Sequence, residues 1–185
     1  MAGLRKPDDN QKLLIEIIKR FDTYINASNA KIAVILSYCI AYIGGVGFKL
    51  VDISDKCVHD TEWSFLLAVY LLSAGVTIWA ARFAYLALTP QVPSGRAAHE
   101  QPSIVFFGDV AKHPGGRDGY FTSVLQLTDE EVVRDIANQA YTLAAITHSK
   151  FVLIDKATKC IIYFQLPMFA LILVLLLTAL QPSIK

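Results

Sequence analysis

The sequence predicts a mainly α-helical membrane protein, with three transmembrane helices and a small cytoplasmic unit whose long helix continues into the last span. Three observations lead there. Hydrophobic residues make up 54% of the 185-residue chain, and three apolar runs reach bilayer-crossing length. A capped polar helix beginning at Thr128 also leads into the third run with no Gly or Pro before Pro167. At 1.5 Å per residue, the stretch of that helix ahead of the membrane reaches about 45 Å, a lever arm between a water-facing unit and a bilayer.

Residues 1–31 read as a cytoplasmic amphipathic helix. Pro7, Asp8 and Asp9 open it, and Leu14, Ile17, Ile18, Phe21 and Ile25 recur at helical spacing, so one face needs burial. The mixed charges elsewhere on it favour a protein neighbour, either the long helix or a second copy, over a lipid surface. Asn26–Lys31, polar and small, makes a collar at the cytoplasmic surface of the first span.

Residues 32–88 are a two-helix transmembrane hairpin, with spans Ile32–Phe48 and Phe65–Leu88 and an outer loop at 49–64. Gly44, Gly45 and Gly47 are small enough for a second helix to come close. The first run begins too far from Met1, and without a small-residue cleavage pattern, for a signal peptide, so it is read as retained. No span has an ionisable residue near its middle, which argues against a pump or a proton-coupled transporter. Arg82 lies close enough to the cytoplasmic end to snorkel there. Cys39, Cys57 and Cys160 show no metal or redox spacing, and Cys57 in the outer loop is either a free thiol or a bridge to a second copy.

Residues 89–160 form the cytoplasmic unit. Thr89–Gln101 is a polar linker with Pro90, Pro93 and Gly95. Ile104–Phe107 reads as a short β element or extended segment entering a turn at Gly108-Asp109, 112–119 as a loop, and Tyr120–Leu127 as strand or short helix. Helix 129–160 starts with Thr128 as N-cap, Glu131 at the third position and acids in the first turn. Along it Val133, Ile136, Ala140, Leu143, Thr147, Phe151 and Ile154 form a narrow seam for a neighbouring helix. Residues 161–185 supply the third span and a short tail. Basic residues number six in 1–31 and eight in 82–160, against two in loop 49–64 and Lys185 alone beyond the last span. This bias puts the N-terminus and the 89–160 unit in the cytoplasm, and the loop and C-terminus outside.

At Phe106-Phe107-Gly108-Asp109-Val110, and again from Asp135-Ile136-Ala137-Asn138-Gln139-Ala140-Tyr141 on to Ser149-Lys150, the chain resembles the Pycsar effector family, membrane-spanning effectors of bacterial anti-phage systems. The order of parts matches over about Leu13 to Leu180: an N-terminal helix, an Ala-rich stretch at Asn26–Ala33, a two-span hairpin, a Phe-Gly-Asp turn, and a long helix running into a final span. The resemblance implies a partner cyclase that makes a cyclic pyrimidine mononucleotide, cyclic UMP or cyclic CMP, on infection. It also implies an effector that then compromises the inner membrane and stops growth.

A cyclic nucleotide presents one negative charge, a ribose and a flat base, so a site for it needs amides or an Arg for the phosphate, polar groups for sugar and base edge, and an aromatic for stacking. Phe107, Gly108, Asp109, Arg117, Asn138, Gln139, Tyr141 and His148 have that chemistry within the cytoplasmic unit. Each also has a plainer role: Asp109 as a turn cap, Asn138 and Gln139 as interface groups, Arg117 as a solvated charge, His148 as a packing residue. The Gly-rich stretch 115–119 lacks the strand and the Gly-Lys-Ser/Thr ending of a P-loop. No catalytic constellation, metal set or resident cofactor is expected, nor a nucleic acid polymer as partner. The expected partners are the nucleotide, the bilayer and further copies of the chain. A non-conducting scaffold tethering a soluble partner is the alternative, and a membrane hydrolase ranks third.

Overall fold

The computed structural model describes residues 7–54, 60–89 and 103–179. Its elements are α1 (Pro7–Ser54), α2 (Asp60–Leu88), α3 (Phe107–Ala111), α4 (Gly116–Gln126), α5 (Asp129–Cys160), a π-helical turn (Ile161–Gln165) and α6 (Leu166–Ala179). Three of the helical stretches are long and apolar enough to cross a membrane. The protein is therefore a mainly α membrane protein with three candidate spans, and among the described residues there is no strand.

The short β element expected at 104–107 is instead a bend that runs into α3. The Ser103 hydroxyl accepts the Val105 and Phe106 N–H groups at 3.1 and 2.9 Å, which folds the segment on itself before it can extend. Asp109 and Val110 then donate to the Phe106 carbonyl, closing the first turn of α3. Tyr120 and its successors, ambiguous in the sequence, are helical in α4, entered through Gly116 at φ +60° in the left-handed region. Residues 112–119, expected as a loop, divide between a tight turn and the start of this helix.

Contacts divide the chain into two units, one of residues 1–27 and 90–149, the other of 28–89 and 150–185. In the first, Leu14, Ile17, Ile18, Phe21 and Ile25 are the half-buried positions of the N-terminal turns of α1, as their spacing demands. The start of α5 is a reciprocal capping box. The Thr128 N–H and hydroxyl both donate to Glu131 Oε2, at 2.8 and 2.9 Å, and the hydroxyl accepts the Glu131 N–H at 3.3 Å. These donors hold the Glu131 carboxyl below its ordinary range.

The second unit is apolar outside and partly polar inside, the inverse of a water-soluble bundle. Val34, Ile40, Phe48, Ile78, Val174 and Leu177 are exposed, whereas Ser73, Thr77 and Gln165 are fully buried. Two apolar clusters close the ends of the bundle. Ile32, Ala84, Ala87, Ile154 and Ala157 form one, and Leu50, Leu66 and Ile172 the other. At Gly47 an added Cβ would lie 2.7 Å from the Tyr70 hydroxyl, which donates to the Ile43 carbonyl at 2.8 Å. Helix α2 meets the backbone of α1 there because glycine leaves the space. Near the first cluster, Lys31 lies over the Phe151 ring, Arg82 over Trp79 and Lys156 over Phe83, at 5.6, 5.1 and 5.9 Å, a belt of cation–aromatic pairs.

Two expectations for the long helix change. First, the buried stripe of α5 runs Ile136, Ala140, Thr147, Lys150, Ile154, Ala157, and Phe151 stands 38% exposed. Lys150 takes the inward position because its ammonium reaches two acceptors, Asn29 Oδ1 at 2.9 Å and the Ala87 carbonyl at 2.8 Å. Ala87 is in the last turn of α2, where carbonyls have no partner within the helix, so Lys150 caps α2 from α5 and joins both to α1. Burial pushes the Lys150 ammonium below the usual lysine range. Second, the helix does not enter the membrane as unbroken α. The Leu166 N–H bonds the Ile161 carbonyl, five residues back. Pro167 offers no N–H to the Tyr163 carbonyl and would crowd it, and the wider π turn makes room for the ring.

Replacing Lys150 by Met strips both acceptors of their donor and should cost about 1–3 kcal/mol in unfolding of the detergent-solubilised protein. A separate expectation concerns the cap: Thr128→Ala should cost about 1 kcal/mol at neutral pH. Because the folded Glu131 value is depressed, the carboxylate's contribution is complete above the ordinary glutamate value of 4.5 and fades as pH falls through the folded value. The gap between wild type and Thr128→Ala should narrow over that acid range in a pH series of thermal melts.

Candidate functional site

The first unit is organised around a hook, residues 103–106, pinned by two carboxylates. Asp135, nearly two turns into α5, receives three bonds on the single oxygen Oδ2: from the Ser103 hydroxyl at 3.0 Å, the Ile104 N–H at 2.9 Å and the Val105 N–H at 3.2 Å. Asp109 Oδ2 accepts the Ser103 N–H at 3.0 Å. On its other side the hook is tied to α4, whose Tyr120 hydroxyl donates to the Ile104 carbonyl at 2.9 Å. The Tyr120 ring meets His113 edge-on, and His113 in turn contacts Ser123 Oγ through Nε2 at 3.3 Å and accepts the Gly115 N–H at Nδ1. Successive backbone N–H groups turned to one side make an anion cradle. Here the protein's own carboxylate fills it.

The eight residues singled out for ligand chemistry fall on different surfaces. Phe107, Gly108 and Asp109 share α3. Phe107 is 73% exposed with its ring against Phe106. A Cβ on Gly108 would strike the Phe106 ring at 2.6 Å, so close packing accounts for this glycine. Asp109 is engaged with the hook, the cap-like role that was the plainer of its two readings. Arg117 is exposed in the first turn of α4. On α5, Tyr141 and His148 are both exposed and two turns apart on one face, together with Arg134 and flanked by Asn138. Gln139 falls on another side of the helix, one turn beyond Asp135. His148, for which a packing role was open, points to solvent. The structure thus gathers Phe107, Gly108 and Asp109 in one place and Asn138, Tyr141 and His148 in another.

Sequence reasoning missed Ser103, Asp135, Tyr120 and His113 as members of this network. Two signals were present. Ser103 precedes an apolar run with a turn beyond it, the setting of a hydroxyl that captures the next N–H groups. Asp135 stands within a helix whose neighbours Ile136 and Ala140 are buried, a position where a carboxylate needs donors. Asp135→Ala should therefore release the hook, and hydrogen exchange at the Ile104 and Val105 amides should accelerate by about tenfold or more. Asp109→Ala should speed exchange at Ser103 and leave those two amides protected.

Among the described residues no group of His, Cys, Asp and Glu is arranged to hold a metal ion. No solved structure matches the chain. Among characterised proteins it is similar to the Pycsar effector protein EcPycTM of Escherichia coli, 24% identical over 166 residues that cover 85% of this chain and 86% of that protein. Residues 13–179 match the family described as the Pycsar effector protein domain, and this stretch holds the hook, α3 to α5, the second and third candidate spans and most of the first. The chain belongs to the Pycsar effector family, a class of cyclic-nucleotide-activated anti-phage effectors.

Proposed function

We propose that this protein answers a cyclic pyrimidine mononucleotide, cyclic UMP or cyclic CMP, made by a partner cyclase, and that it then compromises the bacterial inner membrane as an assembly of several copies. The N-terminus and the 89–160 region face the cytoplasm in this reading, and the C-terminus faces outward. It acts without turnover, as a gated structural change. One observation supports it above the others: α1 and α5 each belong to both units, so the backbone of the nucleotide-facing unit continues as helix into the membrane unit. A ligand shifts such a chain only through a difference in affinity between two states, and shared helices are where such a difference is felt. Phe107 on α3, Arg117 on α4, and Asn138, Tyr141 and His148 on α5 offer stacking, charge and hydrogen bonding, on surfaces that the nucleotide would draw together on binding.

A second reading has an observation of its own. Helix α4 buries none of its residues and exposes Phe121, Val124 and Leu125 along one side, and Phe107 of α3 is exposed as well. That surface suits a protein neighbour, as a scaffold would need.

The deciding measurement is the thermal stability of the detergent-purified protein against cyclic mono-, di- and trinucleotides. Ligand at about a hundred times its dissociation constant should add roughly 2.7 kcal/mol to the folded state. One cyclic pyrimidine should raise the midpoint, and Arg117→Ala or Tyr141→Ala, both exposed positions, should abolish the rise. No shift with any nucleotide, together with stoichiometric co-purification of a soluble protein, would replace the effector reading by the scaffold.

A further inference from the structure

Between the two apolar clusters of the membrane unit lies a set of inward-turned polar side chains. Helix α1 supplies Tyr38 and Tyr42, α2 supplies Ser73 and Thr77, and the π turn supplies Gln165. The Tyr38 hydroxyl donates to Gln165 Oε1 at 2.5 Å. The Tyr42 and Ser73 hydroxyls share a bond of 2.6 Å, and Thr77 Oγ1 donates to the Ser73 carbonyl at 2.8 Å. Tyr42 also meets Phe169 of α6 edge-on. The strip runs along one helical line on both α1 and α2, since 38 and 42, like 73 and 77, are one turn apart.

Polar groups that only glue membrane helices together satisfy one another. This strip does not. Gln165 is completely buried, and its Nε2 has no partner among the described residues. It stands in a π turn, a geometry that is rare and concentrated at functional sites. A buried donor without an acceptor disfavours the closed arrangement, and any state that admits water relieves it. The same water would reach the hydroxyls of Tyr38, Tyr42, Ser73 and Thr77.

We propose that this strip lines the aqueous path that opens when the effector is activated, with the Ile32–Ile154 and Leu50–Ile172 clusters as the seals that keep it dry at rest. Apolar constrictions gate by excluding water, and each cluster here closes one end of the polar stretch. The lining holds hydroxyls and an amide and no charge, so it passes water and small hydrated ions of either sign. Gln165 is the lining residue that biases the bundle toward opening. The inference rests on the effector reading above.

The test uses the full-length protein in vesicles of phosphatidylethanolamine and phosphatidylglycerol loaded with a small dye, challenged with each cyclic mononucleotide. Wild type should leak with one of them. Gln165→Leu and, separately, Thr77→Val should cut the leak rate by about tenfold, while each keeps the nucleotide's thermal shift. In a Tyr38→Phe background, where no hydroxyl loses its acceptor, Gln165→Leu should also raise the midpoint without nucleotide, whereas loss of an ordinary packing bond lowers it. Ile78→Leu, on the exposed side of α2, should leak as wild type. Wild-type leak with unchanged leak in both variants would overturn the lining, and so would lost leak with a lowered midpoint for Gln165→Leu in the Tyr38→Phe background. Should that variant fail to fold, Thr77→Val, of nearly the same shape, decides alone. Wild type that leaks with no nucleotide sinks the effector reading and the path together, a result visible before any variant is made.

Discussion

A buried ammonium group, bonded to an amide oxygen and a main-chain carbonyl, holds three helices to one another, and much else in the membrane unit follows from its placement. A desolvated charge is tolerated only where its donors are met. For Lys150 that requires α2 to end at its present turn, α1 to present Asn29 at the height of the collar, and α5 to keep one face inward through Ile154 and Ala157. Those two residues then pack with Ile32, Ala84 and Ala87. The polar collar and the first apolar seal are therefore one assembly, in which a hydrogen-bonded charge sets the register and the small alanines make the close packing possible.

The parts of the fold that depend on local pattern were legible in the sequence. The three apolar runs, the inward face of α1 at Leu14, Ile17, Ile18, Phe21 and Ile25, and the Thr128–Glu131 cap are properties of near neighbours along the chain. The misplaced parts are set by partners far away in sequence. Phe151 fits an apolar stripe better than Lys150 by composition, yet the lysine turns inward because Asn29 and Ala87 wait for it. The π turn likewise follows from Pro167 acting on a carbonyl one turn earlier, which an apolarity pattern does not register. Ile104–Phe107 resembles a strand until Ser103 and Asp135 are seen to have taken its amides.

The ligand-type residues were legible as chemistry and not as geometry. Aromatic, cationic and amide side chains in the first unit stand largely in the open, on α3, on α4 and on the exposed face of α5. The inward groups around the hook have carboxylates already bonded to them. A phosphate arriving at the 103–106 amides would meet Asp135 in possession. The sequence shows which groups are present, whereas the balance between internal and external anions depends on a fold that brings residue 135 beside residue 103.

The π turn gives the last span a rotational setting that regular α geometry would not. One residue advances an α-helix by about 100°, so the extra residue held at Ile161–Gln165 fixes the rotational setting of everything after it. If the same residues closed as regular α instead, the whole terminal helix would swing by about that angle. Phe169, now against Tyr42, and Ile172, now fully buried in the second seal, would both turn away from the bundle. Substitutions along α6 alter one contact at a time. Loss of the wide turn at constant length would re-aim the whole last span by about 100° in a single step, so the geometry between Cys160 and Pro167 constrains this molecule as firmly as any side chain in it.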